Sequence, residues 1–265
     1  MTIRWSAESI WEAVVPLLPG FTIEILPTVD STNTELMRRA RAGQTEPTLL
    51  VAERQTAGRG RLGRDWQSDT QEGLATLTFS LGLPLQPADW SGLSLAVGLA
   101  VVQSLHPALQ LKWPNDVWLQ DRKLAGILIE TTSVGDVRFC VIGIGINLLP
   151  RDSAGLRTPA AALQELLAQV DAPSALAAVV LPLVRAVQGF EAEGFAALRT
   201  AFHARDLLYG REVVCTDGNT GMARGVDASG ALLVHTDKGL QKISSAEVSV
   251  RPAPAALSTD PQPDL

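Results

Sequence analysis

Cysteine is scarce in this 265-residue chain: only Cys140 and Cys215 occur, and neither has CxxC spacing. That excludes a disulfide framework and points to a reducing compartment. Three histidines, His106, His203 and His235, are scattered along the sequence, so a zinc site built from His and Cys is not expected. Basic residues are outnumbered, 22 Lys and Arg against 28 Asp and Glu, for a net charge of −6 and a pI near 5.1. Such a balance argues against a dedicated nucleic-acid binder, whose affinity rests on neutralising phosphates, and DNA is not expected as a partner. Long apolar runs are also missing. The most apolar stretch, residues 91–105, contains Ser, Gly and Gln and falls short of the roughly 18 to 20 residues that cross a bilayer, so it reads as a buried helix. Residues 1–18 hold one basic residue, Arg4, and no small-residue cleavage site, unlike a signal peptide. A cytoplasmic protein without a membrane partner is expected. The remaining composition, 46% hydrophobic and 19% charged, fits a folded chain of one large domain, or one plus a small one.

The alternation in FTIEILP (21–27) reads as a strand, and Asp30-Ser31-Thr32-Asn33 follows as a helix entry. Thr32 with Glu35 forms a capping-box pattern for a helix ending near Gly43. Further strands are expected over 48–52, 74–81, 109–119, 123–132 and 137–148, with an apolar helix at about 89–105. Helical spacing rich in Ala and Leu runs over 160–167 and 174–202. From 207 to 251 short alternating segments are separated by Asp-Gly (217–218), Ser-Gly (229–230) and Lys-Gly (238–239) turns, the pattern of a small antiparallel barrel or sandwich. The expected organisation is a helical lead-in at 1–20, a main domain at 21–205, the small domain at 206–252 and a Pro-rich disordered tail at 253–265.

Gly58-Arg59-Gly60-Arg61-Leu62-Gly63-Arg64 is formally G-x-G-x-x-G after a strand. The dinucleotide reading fails at the next requirement: no helical period follows, and position 83 is Leu83 rather than an acid. No GxxxxGK[ST] is present, which excludes the P-loop mechanism. What stands out is three arginines interleaved with three glycines, a backbone free to wrap a ligand carrying guanidinium groups that grip phosphate oxygens. The alternative is a solvated flexible loop. A second constellation is Lys112-Trp113-Pro114-Asn115-Asp116 followed by Lys123-Leu124-Ala125-Gly126. The chain has only four lysines against 18 arginines, and two of the four fall here, as expected where a compact ammonium is needed, unless the clustering is chance. Asn115 and Asp116 beside a lysine can organise hydrated Mg2+ and a phosphate; alone, Pro-Asn-Asp is an ordinary turn. Residue chemistry thus leads to a phosphate-handling enzyme, with ATP or another nucleotide as the ligand that fits, and leaves the acceptor open.

Four motifs, DSTN (30–33), ERQTAGRGRLGRDW (53–66), KWPNDVWLQDRKLAGILIE (112–130) and VIGIGIN (141–147), resemble in order and spacing those of the biotin protein ligases. Residues 212–251 resemble that family's small SH3-like domain. The resemblance implies an α+β fold: a mixed sheet with packed helices, as in class II aminoacyl-tRNA synthetases, followed by a small SH3-like β-barrel. It implies activation of biotin by ATP and Mg2+ to biotinyl-5′-adenylate, then transfer to a lysine of a biotin carboxyl carrier protein; Mg2+ is implied to be held mainly by the ATP phosphates. Carried over by position, Ser31, Thr32, Gln55, Gly58 and Arg59 contact the biotin head. Arg59, Arg61 and Arg64 lie in a loop over the carboxylate and phosphates. Lys123 bridges carboxylate and α-phosphate, and Gly126 and Gly143 admit the ligand to the backbone. Asn115, Asp116 and Asn147 assist at the adenylate, with Lys123, Arg59, Arg61 and Asp116 as the catalytic set. Trp66 either packs on adenine or anchors the loop, and Trp113 belongs to the core. Bifunctional members carry a DNA-binding winged helix of about 60 residues where about 20 precede the first strand here, so no repressor function is expected. Related single-function ligases form homodimers, which makes a dimer an expectation. A lipoate or octanoate ligase on the same fold is the alternative reading.

Overall fold

The structure, a computed structural model, describes residues 3–67, 74–151, 158–216, 218, 220–244 and 250–252. The tail at 253–265 and Asp217 of the Asp-Gly turn lie outside these residues. After helix α1 (Ala7–Val14), strands β1 (Thr22–Leu26) and β2 (Thr48–Ala52) pair in parallel, joined by the crossover helix α2 (Thr32–Arg41). The other strands of the main sheet are β3 (Thr76–Pro84), β4 (Gln110–Lys112), β5 (Asp116–Leu119), β6 (Arg122–Val134) and β7 (Val137–Asn147). Their antiparallel pairing completes a mixed seven-stranded sheet in the order β1-β2-β3-β7-β6-β5-β4.

Side-chain alternation decides what each face of this sheet does. On β3 Leu77, Phe79 and Leu81, and on β7 Ile142, Ile144 and Ile146, enter the main core. Helices α3 (Leu93–Leu105) and α4 (Ala172–Glu193) pack into the same core. The intervening positions are small or polar: Thr78, Ser80 and Gly82 on β3, and Gly143, Gly145 and Asn147 on β7. Helix α2 covers one end of that second face through Leu36, Met37 and Ala40 against Phe139 and Val141. The uncovered end forms the floor of a cleft.

Several elements differ from the sequence expectation for identifiable reasons. Helix α2 is capped by Ser31, whose side chain accepts from the Thr34 amide, so the capping position lies one residue before Thr32. Thr32 is thereby released to pair elsewhere. The run 109–119 folds back as a hairpin at the cis Trp113–Pro114 bond. The 160–167 segment contains only a 3-10 turn, Leu163–Glu165. Gly194, at φ 70, ends α4, and α5 (Arg199–His203) is a separate short helix. Among the described residues, α4 alone is long and apolar enough to cross a membrane; here its apolar stripe, including Leu176, Leu183, Val187 and Phe190, is buried in the core.

A second, antiparallel sheet of SH3-like type holds β8 (Glu212–Cys215), β9 (Thr220–Val226), β10 (Leu232–Thr236), β11 (Gly239–Ile243) and β12 (Val250–Pro252), in the order β11-β10-β9-β8-β12. Asp227 organises the β9–β10 turn by accepting from the amides of Ser229 and Ala231, at 2.9 and 3.0 Å. That turn docks on the main sheet: Trp113, 1% exposed, donates its indole N–H to the Gly230 carbonyl at 3.0 Å. A methyl on Gly230 would stand 2.9 Å from the Gly92 Cα, so the two units meet backbone to backbone. Trp113 is core, as expected, and it also ties the two sheets together.

Candidate active site

The cleft has an inner chamber of about 130 Å³ over the β6–β7 floor and an outer part of about 780 Å³ running toward β12. Ser31, Thr32, Gln55, Arg59, Arg61, Arg64, Trp66, Asn115, Asp116, Lys123, Gly126 and Gly143 all line the chamber. Gly58 lies at the base of the arginine loop, and Asn147 lines the outer part. The positions named from the sequence, up to 116 residues apart from Ser31 to Asn147, therefore converge on one cleft.

The chamber floor is a directed hydrogen-bond chain. Asn33, 3% exposed, donates from Nδ2 to the Leu128 carbonyl at 3.2 Å and to Glu130 Oε2 at 2.9 Å. Its Oδ1 accepts from the Ser80 hydroxyl at 2.6 Å. Ser80 Oγ also lies 2.6 Å from Thr32 Oγ1, and one hydroxyl proton serves one acceptor. Since Asn33 Oδ1 can only accept, Thr32 donates to Ser80, and the Gln55 side-chain oxygen Oε1 accepts from the Thr32 backbone amide at 2.8 Å. A methyl on Gly143 would sit 2.1 Å from Asn33 Oδ1. The bareness of Gly143 thus serves a side chain of this protein.

The arginine loop is a small hairpin. Arg59 and Asp65 pair through an antiparallel backbone β-bridge, the Gly60 amide reaches the Arg64 carbonyl at 2.7 Å, and the Trp66 amide reaches the Gly58 carbonyl at 2.9 Å. Its tip, Arg61–Gly63, turns through left-handed backbone at Leu62 (φ 57) and Gly63 (φ 68). Arg59 Nη2 pairs with Glu130 at 2.7 Å, and Arg61 Nη1 donates to Asn115 Oδ1 at 3.3 Å. Burial pushes the Arg61 pKa down, Asp116 opposes the shift and Arg64 adds to it. The guanidinium remains charged, so a desolvated cation faces the chamber.

Lys123 reaches the cleft because of a bulge. Val117 pairs with Ala125 but Trp118 with Lys123, so Leu124 is the extra residue. Leu124 and Ala125 both enter the core, and Lys123 is redirected to the face carrying Gly126. Its ammonium lies 2.7 Å from Asp116 Oδ1, an ion pair whose angles are not those of a hydrogen bond. The Lys123 backbone is fixed by bonds to Pro159 and Ala161 and by the Asn147 side chain at 3.2 Å.

Trp66 lies flat on the floor: a methyl on Gly145 would stand 2.3 Å from its ring, and Lys123 Nζ is 5.9 Å from a ring centroid. Gly126 and Gly145 are register partners, so together they form the bed for this indole. Trp66 Nε1 is buried without a hydrogen-bond partner, as is Oδ1 of Asn147. Among the described residues Trp118 Nε1, on the outer part of the cleft, is in the same state, and unsatisfied polar groups on a cleft wall suit a polar ligand. The outer part adds Arg151, Arg211 and Lys112, the last 7% exposed and 5.2 Å from a Trp118 ring centroid. Among the described residues no three His, Cys, Asp or Glu gather as a metal cage.

Sequence reasoning missed Asn33, Ser80 and Glu130 as site residues. Asn33 and Glu130 stood inside quoted motifs, but nothing local distinguishes Ser80, which acquires its role only from the β3–β7 register.

An α+β mixed sheet with an arginine-lined cleft and a small SH3-like sheet matches, over residues 25–147, the biotin/lipoate A/B protein ligase family, and over 209–251 the biotin protein ligase C-terminal domain. The chain belongs to the biotin protein ligases. It is 36% identical over 247 residues to the bifunctional ligase/repressor BirA of Escherichia coli (strain K12), covering 89% of this chain and 76% of that one. To the biotin–[acetyl-CoA-carboxylase] ligase of Paracoccus denitrificans it is 33% identical, covering 84% of this chain and 98% of that relative. A solved biotin protein ligase from Aquifex aeolicus in complex with biotin and ATP superposes with a TM-score of 0.75 at 31% identity, covering 88% of this chain and 99% of that one.

Proposed function

We propose that this chain activates biotin with ATP and passes it to a lysine of a biotin carboxyl carrier domain. The observation that carries the reading is the Lys123 ammonium at the junction of the inner and outer parts of the cleft, with the arginine hairpin folded beside it. A carboxylate and ATP repel each other, so cations must hold them together and spread the charge that develops at the α-phosphate. In the first step a biotin carboxylate oxygen attacks the α-phosphorus, the bond to pyrophosphate breaks, and biotinyl-5′-adenylate forms. In the second a deprotonated acceptor amine attacks the acyl carbon, an amide bond forms and AMP leaves. Thr32 and Gln55 face the biotin head, Arg59 and Lys123 its carboxylate, and Arg61, Arg64, Asn115 and Asn147 the adenylate. Asp116 holds the Lys123 ammonium in place. Mg2+ would be carried mainly by the ATP phosphates: among the described residues no three His, Cys, Asp or Glu gather as a metal cage, and Asp116 is already paired with Lys123.

Residues 21–205 are taken as the catalytic unit and 206–252 as its partner domain, acting in the cytoplasm without DNA. The excess of acidic residues supports a role without repression. A homodimer is also proposed, read by the sedimentation mass. ATP–pyrophosphate exchange with biotin, lipoate and octanoate as alternative acids tests the central reading. Biotin-dependent exchange is the expected result. Exchange with lipoate or octanoate instead would place the chain with the lipoate branch of the family model, and none with any acid would refute activation.

A further inference from the structure

Glu130 does not line the chamber, yet it touches both the chamber floor, through Asn33, and the arginine loop, through Arg59. It projects from β6, and its Oε2 accepts from Asn33 at 2.9 Å and from Arg59 at 2.7 Å. Asn33 is itself immobilised: its amide is engaged by Ser80, Leu128 and Glu130, and the bare Gly143 backbone leaves its Oδ1 no slack. An exposed ion pair between two mobile side chains contributes little, because ordering both offsets the attraction. Here the carboxylate is already fixed, with 25% of its side chain exposed, and only the arginine has to be ordered. A guanidinium carries five N–H donors and the pair engages Nη2, so donors remain for an anion in the chamber.

We propose that Glu130 is a positioning residue: it sets the Arg59 guanidinium at the chamber mouth and thereby couples the floor, through Asn33, to the loop that closes over the ligand. The reading rests on the proposed biotin activation. Glu130→Ala removes both contacts. Glu130→Gln keeps a carbonyl for Asn33 but loses the charge that holds Arg59. Both variants are expected to raise the KM for biotin about tenfold in pyrophosphate exchange with kcat within about threefold of wild type. In an Arg59→Ala background, adding Glu130→Ala should change KM by less than about twofold, because the group it acts through is gone. A Glu130→Gln enzyme with the wild-type KM, or an equal effect of Glu130→Ala in both backgrounds, overturns the proposal. A second readout needs no catalysis: trypsin cleavage after Arg61 and Arg64 in the ligand-free protein, followed by mass spectrometry. Several-fold faster cleavage in both Glu130 variants is expected, and wild-type rates overturn the proposal even if biotin activation itself fails in the unmodified protein.

Discussion

Gly143→Ala tests the architecture of the chamber floor most directly. The added methyl would stand 2.1 Å from Asn33 Oδ1, well inside van der Waals contact, and the neighbour it meets is a side chain 3% exposed with bonds to Ser80, Leu128 and Glu130. Asn33 must move, and each of the three bonds is worth about 1 kcal/mol net, with further strain from overpacking. The substitution should therefore destabilise the fold by about 3 kcal/mol, roughly a hundredfold in the unfolding equilibrium. Urea titration followed by tryptophan fluorescence measures it, and biotin KM in the exchange assay should rise as the floor shifts. The decisive arm is Asn33→Ala: with the carboxamide gone, Gly143→Ala should cost less than about 1 kcal/mol, leaving a coupling of about 2 kcal/mol between the sites. A neutral Gly143→Ala, or equal penalties with and without Asn33, would refute the account of why this glycine is bare.

Lys123→Ala should slow biotin-dependent exchange by about two to three orders of magnitude, the usual effect of deleting a group that stabilises transition-state charge. Near-normal turnover would remove Lys123 from the mechanism. Arg61→Gly removes a desolvated cation and its bond to Asn115, so adenylate should escape the cleft and label lysines of bystander proteins; wild-type levels of free adenylate and of stray biotinylation would contradict this. Asp206 gives a pH test. Burial raises its carboxyl to about 6 from the ordinary 3.8, with the Leu208 amide and other contacts opposing. The folded chain therefore takes up a proton that the unfolded chain has released, and this favourable term is complete below about pH 4 and lost as pH rises through about 6. Relative to wild type, Asp206→Asn should gain stability from pH 4 to pH 8, by at most about 3 kcal/mol, and a pH-independent difference would refute the burial argument.

Period and punctuation made most of the fold readable. VIGIGIN is the clearest case, since alternation alone places three isoleucines on one face and Gly143, Gly145 and Asn147 on the other. The Ala and Leu content of 160–167 points to a helix, but three residues of 3-10 turn suffice where the chain pairs with Lys123 through Ala160. The adjacent Ser31 and Thr32 both suit an N-cap, and the choice fell to Ser31 because Thr32 pairs with Gln55 and Ser80, which no local pattern reveals. The fold and family were legible because the motifs are long and ordered. Asn33 with Glu130, and Trp113 with Gly230, were not, because each contact joins residues about a hundred positions apart and exists only after the sheets have formed. The bulge at Leu124 is a similar case, as strict alternation would have turned Lys123 away from the cleft.

The cations along the cleft have a further consequence for an enzyme that makes an acylating agent. Arg59, Arg61, Arg64, Arg151 and Arg211 supply the positive charge, and among the described residues only Lys112 and Lys123 join them. A guanidinium stays protonated and attracts phosphate without attacking carbonyl carbon, whereas a free amine would do both. Of the two amines, one is held against Asp116 and the other is buried beside Trp118; the chain's remaining lysines, Lys238 and Lys242, stand at the β10–β11 turn and on the outermost strand of the other sheet. Such a wall concentrates anions while offering few amines of its own, so on the proposed function a mixed anhydride held there would persist until the acceptor amine arrives.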